Sequence, residues 1–131
     1  MKKQHTEPRK HSVGIVIPTI GGREQYITET LRSCASVPGV YLVLAGPENV
    51  TRNTSGVELC DSVMNDLEGI TLEEKIRQAF YRLVPIVDLV MWVGDDDYVF
   101  PSQLASALEV LRNDPELSFV YGNCQYVNSA G

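Results

Sequence analysis

Apolar residues along this chain recur in two different rhythms, and the alternation between them is its first readable feature. Val13-Gly14-Ile15-Val16-Ile17 is a continuous run rich in β-branched residues, as expected of a central strand. Pro18 closes that run, because proline has no backbone donor for a ladder. From Glu24 to Ser33 the rhythm turns helical, with Ile27, Leu31 and Cys34 at i, i+4 and i+7, until Pro38-Gly39 breaks it. Val40 to Ala45 is a second buried strand, followed by a loop at Gly46-Pro47-Glu48-Asn49. From Val50 to Gly69 the pattern is open: Val57, Leu59, Val63, Met64 and Leu67 suit a short strand, a helix or both.

The rhythm returns at Leu72, Ile76, Phe80 and Leu83, one helical stripe with Thr71 placed to cap it, Glu74 at the third position, and Pro85 to stop it. Leu89 to Val93 are five apolar residues in a row, so Asp88 to Val93 is expected to be a buried strand, with Trp92 in the core. Pro101 suits the first position of a helix running to Arg112, with Leu104, Leu108 and Leu111 facing inward. Asn113-Asp114-Pro115-Glu116 reads as a turn, and Leu117 to Gly122 as a fourth strand with Val127 as its outer limit. Strands alternating with helices predict an α/β fold, a mostly parallel, Rossmann-like sheet with helices on both faces.

Chemistry concentrates where the third strand ends. Asp95, Asp96 and Asp97 follow Gly94 directly, and the carboxyl ends of strands are where open α/β sheets bind ligands. Three adjacent carboxylates repel one another, and a divalent cation relieves that repulsion. The bland alternative is a solvated acidic loop near the start of the following helix. Thr19, Gly21, Gly22 and Arg23 form a polar loop at the end of the first strand. Glu48 is a candidate acceptor for a base or ribose group, against the plainer reading of a solvated turn acid. Lys75 lies opposite the stripe of its helix, available to phosphates or simply a surface charge. Tyr98 is open to either reading.

Charge and composition narrow the classes. Lys2, Lys3, Arg9 and Lys10 share the first twelve residues with one acid, Glu7, and the segment reads as a disordered basic lead, 1–12, before a domain spanning 13–131. Removing those residues from the chain's 11 basic and 17 acidic side chains leaves 7 against 16, a net charge of −9. That argues against a nucleic-acid backbone as partner, which wants a contiguous basic surface. The lead offers an anionic membrane surface no more than a weak peripheral contact. Cys34, Cys60 and Cys124 have no paired spacing, and both histidines sit in the lead, so neither a zinc site nor a disulfide scaffold is indicated. Reduced cysteines fit a cytoplasmic protein. No apolar stretch approaches the ~18 residues of a membrane span, and the amino terminus lacks the apolar segment of a signal peptide. Without such a signal, the glycosylation-type triplets at Asn49 and Asn53 read as coincidence.

The order of these pieces resembles the amino-terminal half of inverting, nucleotide-sugar-dependent glycosyltransferases of family 2, with the GT-A fold. Val16-Ile17-Pro18-Thr19 followed by Arg23 resembles the strand and loop that open the nucleotide site. Thr30-Leu31-Arg32-Ser33 resembles the end of the first helix. The Asp cluster after an apolar strand resembles the metal-binding Asp-any-Asp signature, and Pro101 to Gly122 resembles the segment that follows it. The likeness spans Val13 to Val127.

The chain departs from the family pattern at two places. Leu44-Ala45-Gly46-Pro47 stands where the family has one or two aspartates, one of them contacting the base, so that contact is missing or moves to Glu48 or Asn49. With Pro101 setting the register, Gly94 and Asp96 fall at the two signature positions. In the three-aspartate branch of the family, Asp95 and Asp97 form the pair.

The resemblance implies Mg²⁺ or Mn²⁺ held by Asp95 and Asp97, with Asp96 facing the ribose. It further implies Thr19 and Arg23 along the nucleotide and Lys75 toward phosphates. Its substrate would be a UDP-, GDP- or dTDP-linked sugar, and its acceptor a hydroxyl on a glycan, lipid or protein. In that family the general base comes from a later half, so the chain is expected to be a donor-binding part truncated before it, and weak or inactive alone. Asp61 and Asp88 are acids without a supporting pattern. A nucleotide-sugar-binding remnant or regulatory module is the main alternative. A magnesium-dependent phosphotransferase or nucleotidyltransferase would need a phosphate cradle at Thr19 to Arg23, a loop that has no lysine.

Overall fold

The computed structural model describes residues 11–68 and 71–120. Strand β1 (His11–Pro18) leads through helix α1 (Glu24–Ala35) to β2 (Val40–Ala45). A one-turn helix, α2 (Glu48–Thr51), and a 3-10 turn at Val57–Leu59 precede the short β3 (Ser62–Met64). Helix α3 (Leu72–Leu83), β4 (Val87–Trp92) and α4 (Pro101–Asn113) follow. The four strands are parallel, in the order β3-β2-β1-β4. The segment left open by its pattern thus holds both a strand and short helical turns.

Alternation along β1 and β2 explains the layers. Val13, Ile15, Ile17, Leu42 and Leu44 face one side, where they pack with Ile27, Leu31 and Cys34 of α1 and Leu108 of α4. Val16, Val43 and Ala45 face the other, against Ala79 and Leu83 of α3. Strands covered on both faces need apolar residues at every position, which is why β1 and β2 read as unbroken runs. The expected cap on α3 is present, with the Thr71 side chain accepting from the Glu74 N–H. Burial raises the thiols of the buried Cys34 and the half-buried Cys60 to about 11, so both stay protonated.

Four expectations are corrected. His11 already belongs to β1: it pairs with Val87 and packs edge-on against Tyr41, so the lead gives way to the sheet before Ser12. Strand β4 is buried on one side only. Leu89 and Met91 pack inward, whereas Val90 and Trp92 are 38% and 49% exposed. Among the described residues β4 is the last strand of the sheet, and on the α3 side only its first residue, Val87, joins the core. Leu72, expected in the buried stripe, is 49% exposed. Residues 117–120 form no strand: Asp114 closes a turn onto the Leu117 N–H, and Leu117, Phe119 and Val120 are exposed with no ladder partner among the described residues. The rest of that expected strand lies outside the described residues. No helix among the described residues is long and apolar enough to cross a membrane.

Candidate functional site at the carboxyl edge of the sheet

The chain builds β1, β2 and β3 outward in one direction, then returns to place β4 on the opposite flank of β1. The loops leaving β1 and β4 therefore diverge, and a crevice opens between them at the carboxyl ends of the strands. A cavity of about 710 Å³ occupies that edge. It is walled by the loops after β1, β2, β3 and β4 and by the first turns of α3.

Thr19 sits at the bottom of the divergence and is buried. Its N–H donates to Ala45 O at 2.8 Å, which extends the β1–β2 pairing past Pro18. Its hydroxyl donates to Asp95 Oδ2 at 2.9 Å and accepts from the Gly21 N–H at 3.2 Å. Gly21 and Gly22, at φ 91° and 84°, supply the left-handed turn that swings the loop back toward Arg23. Arg23 Nε lies 3.9 Å from Asp95 Oδ1 and 3.5 Å from Asp96 Oδ2. Gly46 lies so close beneath Thr19 that a Cβ there would come within 2.3 Å of Thr19 O. A glycine at the end of β2 thus lets the β1 and β2 loops touch.

The acidic loop is held from behind by α1, through residues whose role the sequence did not reveal. The hydroxyl of Thr30, fully buried, lies against the carbonyls of Asp97 and, at 3.3 Å, Asp95. Ser33 Oγ accepts from the Val99 N–H at 3.2 Å. Threonine and serine three apart on a helix share a face, and that spacing was the available signal. The Asp97 N–H closes the turn onto Gly94 O at 3.1 Å. Burial, then the charges of Asp96 and Asp95, holds the Asp97 carboxyl above the usual carboxylate range.

The expected site residues divide. Thr19, Arg23, Lys75 and Asp95 line the cavity together. Asp96 and Asp97 belong to the same loop but lie outside the wall, Asp96 facing Arg23 and Asp97 against Gly94. Glu48 is exposed at the start of α2 and is not on the wall. Lys75 shares the wall with Leu72 and Ile76, so it faces the cavity with part of the stripe, not away from it, and it forms no ion pair with a described residue. Trp92 is also wall, which corrects its assignment to the core. Asp61 is committed to structure: its Oδ2 accepts from the Leu42 N–H at 2.8 Å, tying the chain before β3 to β2. Asp88 is exposed near the start of β4, away from the carboxyl edge.

The donor chemistry bears on the expected cation. Asp95, Asp96 and Asp97 offer only oxygen, the set that suits a hard divalent ion. Among the described residues, however, no three carboxylate, cysteine or histidine side chains converge on one point. Asp95 is shared with Thr19 and Arg23, and Arg23 already supplies positive charge. The residues fit an ion bound by one or two carboxylates that completes its shell from phosphate oxygens and water, and not a protein-only cage. The chain matches no protein-family model, no curated protein and no solved structure.

Proposed function

We propose that this chain is the donor-binding core of a metal-dependent glycosyltransferase, which takes a nucleotide-sugar and passes its sugar to an acceptor hydroxyl with inversion. The observation that carries the reading is the meeting of Thr19, Arg23 and Asp95 at the switch point of a parallel sheet, on the wall of a cavity large enough for a nucleotide. The α/β fold is compatible with nucleotide binding in general; the donor and the transfer are the proposal.

Within it, Asp95 and Asp97 hold Mg²⁺ or Mn²⁺ beside the diphosphate. The ion, when bound, neutralises charge developing on the leaving diphosphate. Arg23 faces Asp95 and Asp96 and itself lines the cavity, so it can turn its guanidinium to phosphate when the carboxylates engage a cation. Lys75 contributes a second positive charge from α3, and Asp96 is left to meet the ribose. Thr19 keeps Asp95 aimed, because its buried hydroxyl has few other places to donate. Asp95 is the one carboxylate on the wall among the described residues, so the acceptor's general base is not assigned to this wall.

A second reading is favoured by one specific contact. Arg23 already neutralises Asp95 and Asp96, which suits a nucleotide-binding module that needs no metal and transfers nothing. Calorimetric titration with UDP, GDP and dTDP, first with Mn²⁺ and then with chelator, separates the two. Metal-dependent binding lost in the Asp95→Ala/Asp97→Ala double variant supports the donor site. Binding indifferent to chelator supports the module. Folded protein that binds no nucleotide sinks both.

A further inference from the structure

The cavity wall farthest from Asp95 is formed by the end of β3 and the start of α3, where Met64, Leu67, Leu72 and Ile76 give an apolar surface. Asn65 stands in that surface. Its Nδ2 donates to Gly46 O at 2.9 Å and to Thr51 Oγ1 at 2.8 Å, which uses both of its protons. A carbonyl oxygen can only accept, so the amide cannot be turned over without setting oxygen against oxygen at Gly46. Its Oδ1 is thereby fixed in direction, and it is exposed with no hydrogen-bond partner among the described residues. An oriented, exposed acceptor on the same wall as Met64, Leu67, Leu72 and Ile76 suits the edge of a flat ring that presents an N–H.

Resting on the nucleotide-binding reading above, we infer that Asn65 is the base-reading residue of this site. It selects bases whose pairing edge carries a ring N–H beside a carbonyl: uracil, thymine and guanine, over cytosine and adenine. At that edge cytosine and adenine present a ring nitrogen that accepts, and this would face the Asn65 Oδ1 lone pairs. Strands lie about 4.8 Å apart, so β3 and β4 are separated by roughly 14 Å. That distance suits a nucleoside diphosphate laid across the strand ends, base at β3 and phosphates at β4. The assignment also supplies an acceptor for the base next to Gly46, where the end of β2 has none.

The test compares UDP, GDP, CDP and ADP on the intact chain by calorimetry, in wild type, Asn65→Leu and Thr51→Val. Wild type is expected to prefer UDP or GDP over CDP and ADP by roughly tenfold or more, the scale of one lost hydrogen bond with an unmatched acceptor left behind. Asn65→Leu is expected to bring the UDP-to-CDP ratio toward one. Thr51→Val, which loosens the same amide without removing Oδ1, keeps a preference of the same sign. If Asn65→Leu fails to fold, the order of the four nucleotides in wild type still decides. Nucleotide binding with no base preference, or a preference unchanged in Asn65→Leu, overturns the inference and leaves the nucleotide site standing. No nucleotide binding at all overturns both.

Discussion

Trp92 shows how a residue's meaning depends on what lies over it. Its neighbours in sequence are apolar, its partner across the ladder is the fully buried Val16, and yet nearly half of it is exposed on the cavity wall. It is the only tryptophan, so its emission reports this wall alone. Saturating nucleotide is expected to quench or shift that emission. An unchanged spectrum at calorimetric saturation would place the ligand away from β4. Thr19 and Arg23 were legible as loop polar residues from their place after an apolar strand. Thr30 and Asn65 were not: the spacing of Thr30 and Ser33 marks a shared polar face without naming what it holds, and asparagine in an ambiguous stretch carries no signal until its partners are known.

At the level of elements, α1 does two things with adjoining faces. Ile27, Leu31 and Cys34 bury it against the sheet, and Thr30 with Ser33 fastens the loop that carries the carboxylates. The apolar half was readable from its spacing; the polar half depends on a loop 65 residues away along the chain. Thr30→Val keeps the shape and removes the donor, leaving backbone carbonyls of the acidic loop without it. We expect a loss of about 1–3 kcal/mol in urea unfolding with an unchanged denaturant slope, together with weaker nucleotide binding. Normal binding in a destabilised Thr30→Val protein would show that the fastening serves stability alone. The helices and the first two strands were legible because each carries its own period and stop signals. Strand β4 was legible as a strand but not as a half-covered one, since cover is a property of the neighbouring layer.

At the scale of the whole molecule, charge brought together by folding sets a pH dependence. The Asp97 carboxyl is held above its ordinary range, so between that range and its raised value the folded chain binds a proton that the unfolded chain does not. Stability therefore falls as pH rises through this window, and the cost is fully present at neutral pH. Asp97→Asn is expected to raise the melting temperature at pH 7, with the advantage fading as pH falls into the ordinary carboxylate range. Mn²⁺ should stabilise wild type at pH 7 more than Asp97→Asn; equal shifts would remove Asp97 from the cation's ligands.

The sequence by itself determined the α/β class, the helical and strand periods, the Thr71 cap and the acidic cluster after a strand. These are local consequences of side-chain spacing and backbone donors, and need no distant partner. Only the tertiary structure decided that β4 crosses to the far flank of β1. That crossing sets Asp95 against Thr19, 76 residues earlier, opens the cavity and exposes Trp92 to it. Strand order is settled by which apolar faces bury one another, and that is a property of the packed chain as a whole.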